Sequence, residues 1–326
     1  MSAAPDALDP MLRGFVTAIC SEGARLAGGR TLDWPQRRAI AETVRTPWRA
    51  GGPTMAQTTT HRIDSAAGAF DVRVYRPAGA SHPAPALVYV HGGGWCLFSL
   101  DTHDRLMREL AARAGIVVVG IDYALAPEHP YPTALRQCVD AVRALRARAD
   151  DFGLDATRLA IGGDSAGANL ALASALQLRD ADGQTGLAGL LLHYGAFDTA
   201  IDADSATTLG GADAMLGADE MADYWRAYLG EAADRCRDPA AVPAHAALHG
   251  LPATLLLWGE RDVLAAQNAA MAARLRASGV EVEAQAYAGA PHSFLEAMSV
   301  SDIARDALAR GAGWLRTRLA PAGAGA

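Results

Sequence analysis

The chain has 326 residues, 51% of them hydrophobic, enough to bury a substantial core in one or two domains. A formal charge of −7 and a pI near 5.7 exclude a nucleic-acid-binding surface, which needs concentrated positive charge. All 29 basic residues are arginine, and the absence of lysine removes Schiff-base chemistry, a phosphate-loop lysine and the S-x-x-K acylases.

At the N-terminus, Met1 to Arg13 carries Asp6, Asp9 and two prolines where a signal peptide needs a basic patch and an apolar run. No stretch approaches 18 apolar residues, so neither export nor a membrane partner is expected and the location is read as cytoplasmic. Residues 8–27 and 35–46 have helical spacing, and Pro35 suits a first helical turn. After Gly51-Gly52-Pro53, residues 57–63 and 69–76 alternate as an antiparallel hairpin.

From residue 84 the rhythm changes to short apolar runs at Ala86–Val90, Ile116–Ile121, Leu159–Gly162, Leu187–His193, Ala253–Trp258 and Val280–Tyr287. Helical spacing fills the intervals at 102–114, 133–149, 166–180, 265–278 and 299–318. Such alternation predicts an α/β protein with a mostly parallel sheet covered by helices on both faces. The rhythm breaks over 198–250, which holds a helix near 219–229 and reads as a cap over the site. The expected division is an N-terminal helical cap segment (1–50), a core in two parts (51–197 and 251–319), a cap insertion (198–250) and a disordered tail (320–326).

Two motifs carry the chemistry. Gly163-Asp164-Ser165-Ala166-Gly167 follows an apolar strand and precedes a helix, so Ser165 is the candidate nucleophile on a strand–turn–helix elbow. His91-Gly92-Gly93-Gly94-Trp95 follows the strand 86–90. Its glycines let backbone N–H groups approach a developing oxyanion, with Gly93, Gly94 and Ala166 as the expected donors. In this composition a G-x-S-x-G arises by chance in roughly one shuffled chain in eight and an H-G-G-G in about one in a hundred, so the pair decides where either alone does not.

A serine needs a base, and the base needs an orienter. Of the histidines after Ser165, His292 lies in a loop beyond the last strand, where such a sheet places its ligands. His193 reads as a packed strand residue. His245 and His249 would share a helix face without a third metal ligand. Asp262, leaving the end of the preceding strand, is the candidate acid; Glu260 is its near neighbour, and Asp198 is a weaker third that reads as a turn cap. Trp95 lines the acyl pocket or packs in the core. Cys20, Cys96, Cys138 and Cys236 form no C-x-x-C pair, and Cys96 reads as a small buried hydrophobe.

These residues resemble the bacterial hormone-sensitive-lipase-like carboxylesterases of the α/β-hydrolase fold over about residues 70–318. HGGGW, GDSAGANL (163–170), SLDTHD (99–104), DYALAPEHPYP (122–132) and GERDVL (259–264) carry the likeness. It implies Ser165 as nucleophile, Asp262 as acid and His292 as base, the assignment that topology gives independently. Two departures bear on loop shape: Val263 stands where the family has Pro, and Ser293 where it has Gly.

The resemblance implies hydrolysis of a small-molecule ester of short to medium chain, without cofactor or metal, and a homodimer as in many relatives. An amidase such as an arylformamidase, or a deacetylase of a specialised metabolite, would use the same residues. A ligand-binding receptor on this framework would have a broken triad, whereas all three positions here are chemically competent. In DYALAPEHPYP the prolines are expected to fix a turn, and Glu128 to brace the region beneath the nucleophile.

Overall fold

The computed structural model describes residues 7–210 and 214–321. Two helices come first, α1 (Pro10–Ala27) and α2 (Trp34–Arg49), followed by the hairpin β1 (Gln57–Ile63) and β2 (Phe70–Arg76). Strands and helices then alternate: β3 (Ala84–Val90), α3 (Asp104–Ala114), β4 (Val117–Asp122), α4 (Thr133–Ala147), α5 (Ala149–Phe152), β5 (Leu154–Asp164), α6 (Ala166–Asp182) and β6 (Gly189–His193). After β6 come α7 (Ala203–Leu209) and α8 (Ala218–Leu229), and the alternation resumes with β7 (Thr254–Arg261), α9 (Ala265–Ala277), β8 (Val282–Pro291) and α10 (Asp302–Arg318).

All eight strands form one sheet in the order β1-β2-β4-β3-β5-β6-β7-β8. The pairings β1–β2 and β2–β4 are antiparallel and the rest are parallel. β3 is buried at all seven positions, because both faces of the sheet are covered. Its pleat divides the core: Val88 and Val90 join one apolar cluster, Leu87 and Tyr89 the other. This is the expected α/β-hydrolase architecture, with α1, α2, α7 and α8 forming a helical cap.

Local chemistry sets the helix starts. Asp9 accepts from the N–H groups of Met11 and Leu12, and Asp33 forms a capping box with Gln36. The structure departs from the sequence pattern in four places. α2 runs through Pro47 to Arg49 instead of ending near residue 46. α7, a single polar stretch, was not anticipated. The last helix starts three residues later than its spacing suggested, at Asp302 with Ser301 as cap, behind an unanticipated 3-10 segment over Phe294–Ser299. The helix expected to carry both His245 and His249 is a 3-10 turn, Pro243–His245, that stops before His249. Of the expected tail, residues 322–326 lie outside the described residues.

Candidate active site

Strand register assembles the site. Val90 pairs with Gly163 and Gly163 with Leu192, so the loops leaving β3, β5 and β6 emerge side by side. Arg261 pairs with Pro291, which makes Asp262 and His292 neighbours although 30 residues separate them.

Ser165 occupies the tight turn between β5 and α6 at φ 54°, ψ −120°, in the positive-φ region that residues with a Cβ rarely adopt. Two glycines permit the turn. A Cβ on Gly163 would lie 2.4 Å from the Val90 carbonyl oxygen, and one on Gly167 would lie 2.0 Å from the same atom. Helix α6 begins at Ala166, whose N–H falls in the first turn, where helical donors lack intrahelical partners.

His292 Nε2 lies 2.9 Å from Ser165 Oγ, and His292 Nδ1 lies 2.7 Å from Asp262 Oδ2. The other Asp262 oxygen accepts from the Leu264 N–H, and the carboxylate side chain is fully buried. With Nδ1–H on the carboxylate, Nε2 presents its lone pair to the serine hydroxyl. Burial alone would push the His292 pKa down; the carboxylates that face it, Asp262 foremost, together reverse this, and the net value is raised. Tyr194 packs edge-on against the imidazole at 5.0 Å. A hydroxyl so placed can lose its proton to the ring as it attacks a carbonyl.

Ser165, His292, Gly93 and Gly94 all line a cavity of about 540 Å³, within the usual range for small-molecule sites. Both glycines have positive φ, 109° and 57°. A Cβ on Gly93 would meet the Leu97 carbonyl oxygen at 2.3 Å, and one on Gly94 would meet the Tyr224 ring of α8 at 2.4 Å. The opposite walls come from the cap, including Ile19 of α1, Ile40 of α2 and Leu216 just before α8.

The remaining sequence candidates sort clearly. Trp95 does not line this cavity: it is fully buried and stacked on Tyr228, with centroids 4.6 Å apart and planes 3° from parallel. Cys96 is buried and its thiol is pushed up to about 12 by burial, so it is inert packing. His193 is buried and held neutral, its pKa lowered to about 4 by burial. Asp198 caps a turn by accepting from the Ala200 N–H, and Glu260 is exposed. Glu128 does brace, but near the surface: it pairs with Arg38 of α2, whose guanidinium also donates to the carbonyls of Cys96 and Ala126. Ser293 adopts φ 55°, the backbone geometry that a glycine would favour there. No group of metal-ligating side chains occurs among the described residues.

Sequence reasoning missed the layer beneath the site. Asp164 and His103 form a buried pair under the glycine loop, and Arg45 pairs with Glu296 at the cavity wall. The signals were present inside the motifs, Asp164 in GDSAG and His103 in SLDTHD, but a carboxylate and an imidazole 61 residues apart declare no partnership until the fold sets the start of α3 against the end of β5.

Comparison with known proteins agrees with this geometry. Residues 87–296, more than half of the chain, match a family described as an alpha/beta hydrolase fold. The chain belongs to the α/β-hydrolase family. Among solved structures of that fold, a hyperthermophilic esterase from the archaeon Pyrobaculum calidifontis superposes with a TM-score of 0.89 at 32% identity, covering 96% of this chain and 100% of the other. EstE1, a thermostable carboxylesterase cloned from a metagenomic library, gives 0.84 at 32% identity over 89% and 99% of the two chains. A thermostable esterase from Pseudomonas putida gives 0.84 at 28% identity over 98% and 100%. This α/β-hydrolase carries a serine, a histidine and an aspartate in hydrogen-bonded series at the carboxyl ends of its strands. It is a serine hydrolase.

Proposed function

We propose that the protein is a carboxylesterase of the hormone-sensitive-lipase-like group, acting on short- to medium-chain esters through an acyl-enzyme. The observation that carries this reading is the series Ser165–His292–Asp262 opening onto a cavity floored by Gly93 and Gly94. Ser165 Oγ attacks the ester carbonyl while His292 Nε2 takes its proton. Asp262 holds the imidazole and stabilises the imidazolium without itself being protonated. The N–H groups of Gly93, Gly94 and Ala166 receive the oxyanion. His292 then protonates the departing alcohol, activates a water, and the acid is released.

A cavity of about 540 Å³, walled on one side by α1, α2 and residues 214–224, suits such acyl chains. The reading includes a cap made of segments 1–50 and 198–250, a cytoplasmic location and a homodimer. No step calls for a cofactor. The test is hydrolysis of p-nitrophenyl esters from acetate to dodecanoate by the wild type and Ser165→Ala, with labelling by a serine-directed phosphonate. Turnover should peak at short or medium chains, fall by at least ~10⁴-fold in the variant, and the phosphonate should mark Ser165. Activity surviving the substitution would overturn the mechanism. Labelling at Ser165 with cleavage of amides alone would turn the assignment to an amidase.

A further inference from the structure

Beneath the glycine loop lies a buried polar cluster that the hydrolytic steps do not use. Asp164 Oδ1 accepts from the Gly92 N–H at 3.1 Å and from the Tyr89 hydroxyl at 2.9 Å; Oδ2 faces His103 Nε2 at 3.3 Å. Asp164 and His103 are both almost wholly inaccessible. The contact with the loop is close: a Cβ on Gly92 would lie 2.5 Å from Asp164 Oδ2.

Thr102 Oγ1 lies 2.9 Å from the Ser99 carbonyl, to which its hydroxyl can donate, and 3.0 Å from His103 Nδ1. The other ring nitrogen, Nε2, faces the carboxylate as a donor and gives it a buried partner. The pKa directions agree. Burial alone would lower that of His103 and raise that of Asp164, but the charges and hydrogen bonds each receives, the other's foremost, reverse both.

We propose that Asp164, held by His103 and Tyr89, is a positioning residue for the hydrolysis: through the Gly92 N–H it fixes the oxyanion loop relative to the nucleophile elbow. Asp164 immediately precedes Ser165, and Gly92 immediately precedes Gly93. One carboxylate thus spans the two backbones whose separation sets how well an oxyanion formed at Ser165 meets its donors. Such a device acts in the transition state far more than in substrate binding. The inference rests on the proposed role of Ser165, which comparison of the wild type with Ser165→Ala tests separately.

The experiment measures kcat, KM and inhibition by an alkyl trifluoromethyl ketone, whose serine adduct places an oxyanion in the hole. In Asp164→Ala, well below its melting temperature, kcat should fall ~100-fold or more with KM within ~3-fold, and ketone inhibition should weaken in proportion. Asp164→Asn can keep every hydrogen bond, its amide oxygen accepting from Gly92 and Tyr89 and its NH₂ donating to a neutral His103. It should recover most of the loss, to within ~10-fold of wild type, with ketone inhibition recovered alongside. An Asp164→Ala enzyme with kcat intact, or impaired in KM alone, overturns the proposal. If that variant does not fold, Asp164→Asn decides: a hundredfold fall in its kcat is equally fatal.

Discussion

Ser165 is held at φ 54° by the backbone around it: its N–H donates to the His193 carbonyl at 2.9 Å, while its own carbonyl accepts from Asn169 and Ala196. The imidazole beside it is tuned by charge. His292 is faced by Asp262 and, at longer range, by Asp164 and by Glu220 of the cap, all favouring the imidazolium against the cost of burial. Because the base must be neutral to accept a proton, activity is lost as pH falls through a raised pKa. The acid limb of kcat/KM should therefore have its midpoint above the ordinary value of 6.5. Asp262→Asn removes the largest favourable charge, so that midpoint should move down while kcat drops on the order of 10⁴-fold. A pH–rate profile of both enzymes checks this, and an unmoved acid limb would assign the titration to another group. At this scale Ser165, His292 and Asp262 were legible because each sits at a fixed offset from a strand end. Trp95 was not, since an indole after a glycine run reads alike whether it faces a pocket or, as here, Tyr228.

Among the elements, α8 matters most to the site, because it brings Tyr224 onto the glycine loop. The ring lines the cavity, and its hydroxyl donates to Glu220 at 2.6 Å. Gly94→Ala would drive a methyl group into that ring and strain φ 57°, so kcat should fall at least ~100-fold through displacement of an oxyanion donor. Tyr224→Ala removes the ring and enlarges the cavity. The optimum in a p-nitrophenyl ester series should shift toward longer chains, while an unchanged optimum would show that the acyl group lies elsewhere. The sheet was readable from sequence because strands buried on both faces leave continuous apolar runs. Cap elements were harder. α7 buries only Ser205 among its seven residues, so it carries no apolar period to detect.

Across the whole molecule, the cap is tied to the core from the N-terminal side. Leu12, Phe15, Val16 and Ile19 of α1 enter the apolar cluster that also contains Leu87, Tyr89 and Leu191 of the sheet. Phe15 meets Trp48 of α2 edge-on, with centroids 4.6 Å apart. Beside this contact, Ile19 of α1 and Ile40 and Val44 of α2 form one wall of the cavity above Ser165. The N-terminal helices therefore pack on the sheet and wall the cavity at once, a coupling that 3.6-residue periodicity alone does not announce. Phe15→Ala should cost about 3–5 kcal/mol through lost transfer energy and an unfilled cavity. In a chain of this size that is a fall of roughly 5 °C in melting temperature. No atom of the Ser165–His292–Asp262 series is touched, so kcat for acetate esters at moderate temperature should stay within ~3-fold. Selectivity should change instead: with α1 less firmly seated, kcat/KM for long-chain esters should rise relative to acetate. Calorimetry with the ester series checks both parts. A large loss of kcat on acetate would mean that α1 positions the catalytic groups themselves, beyond shaping the acyl wall.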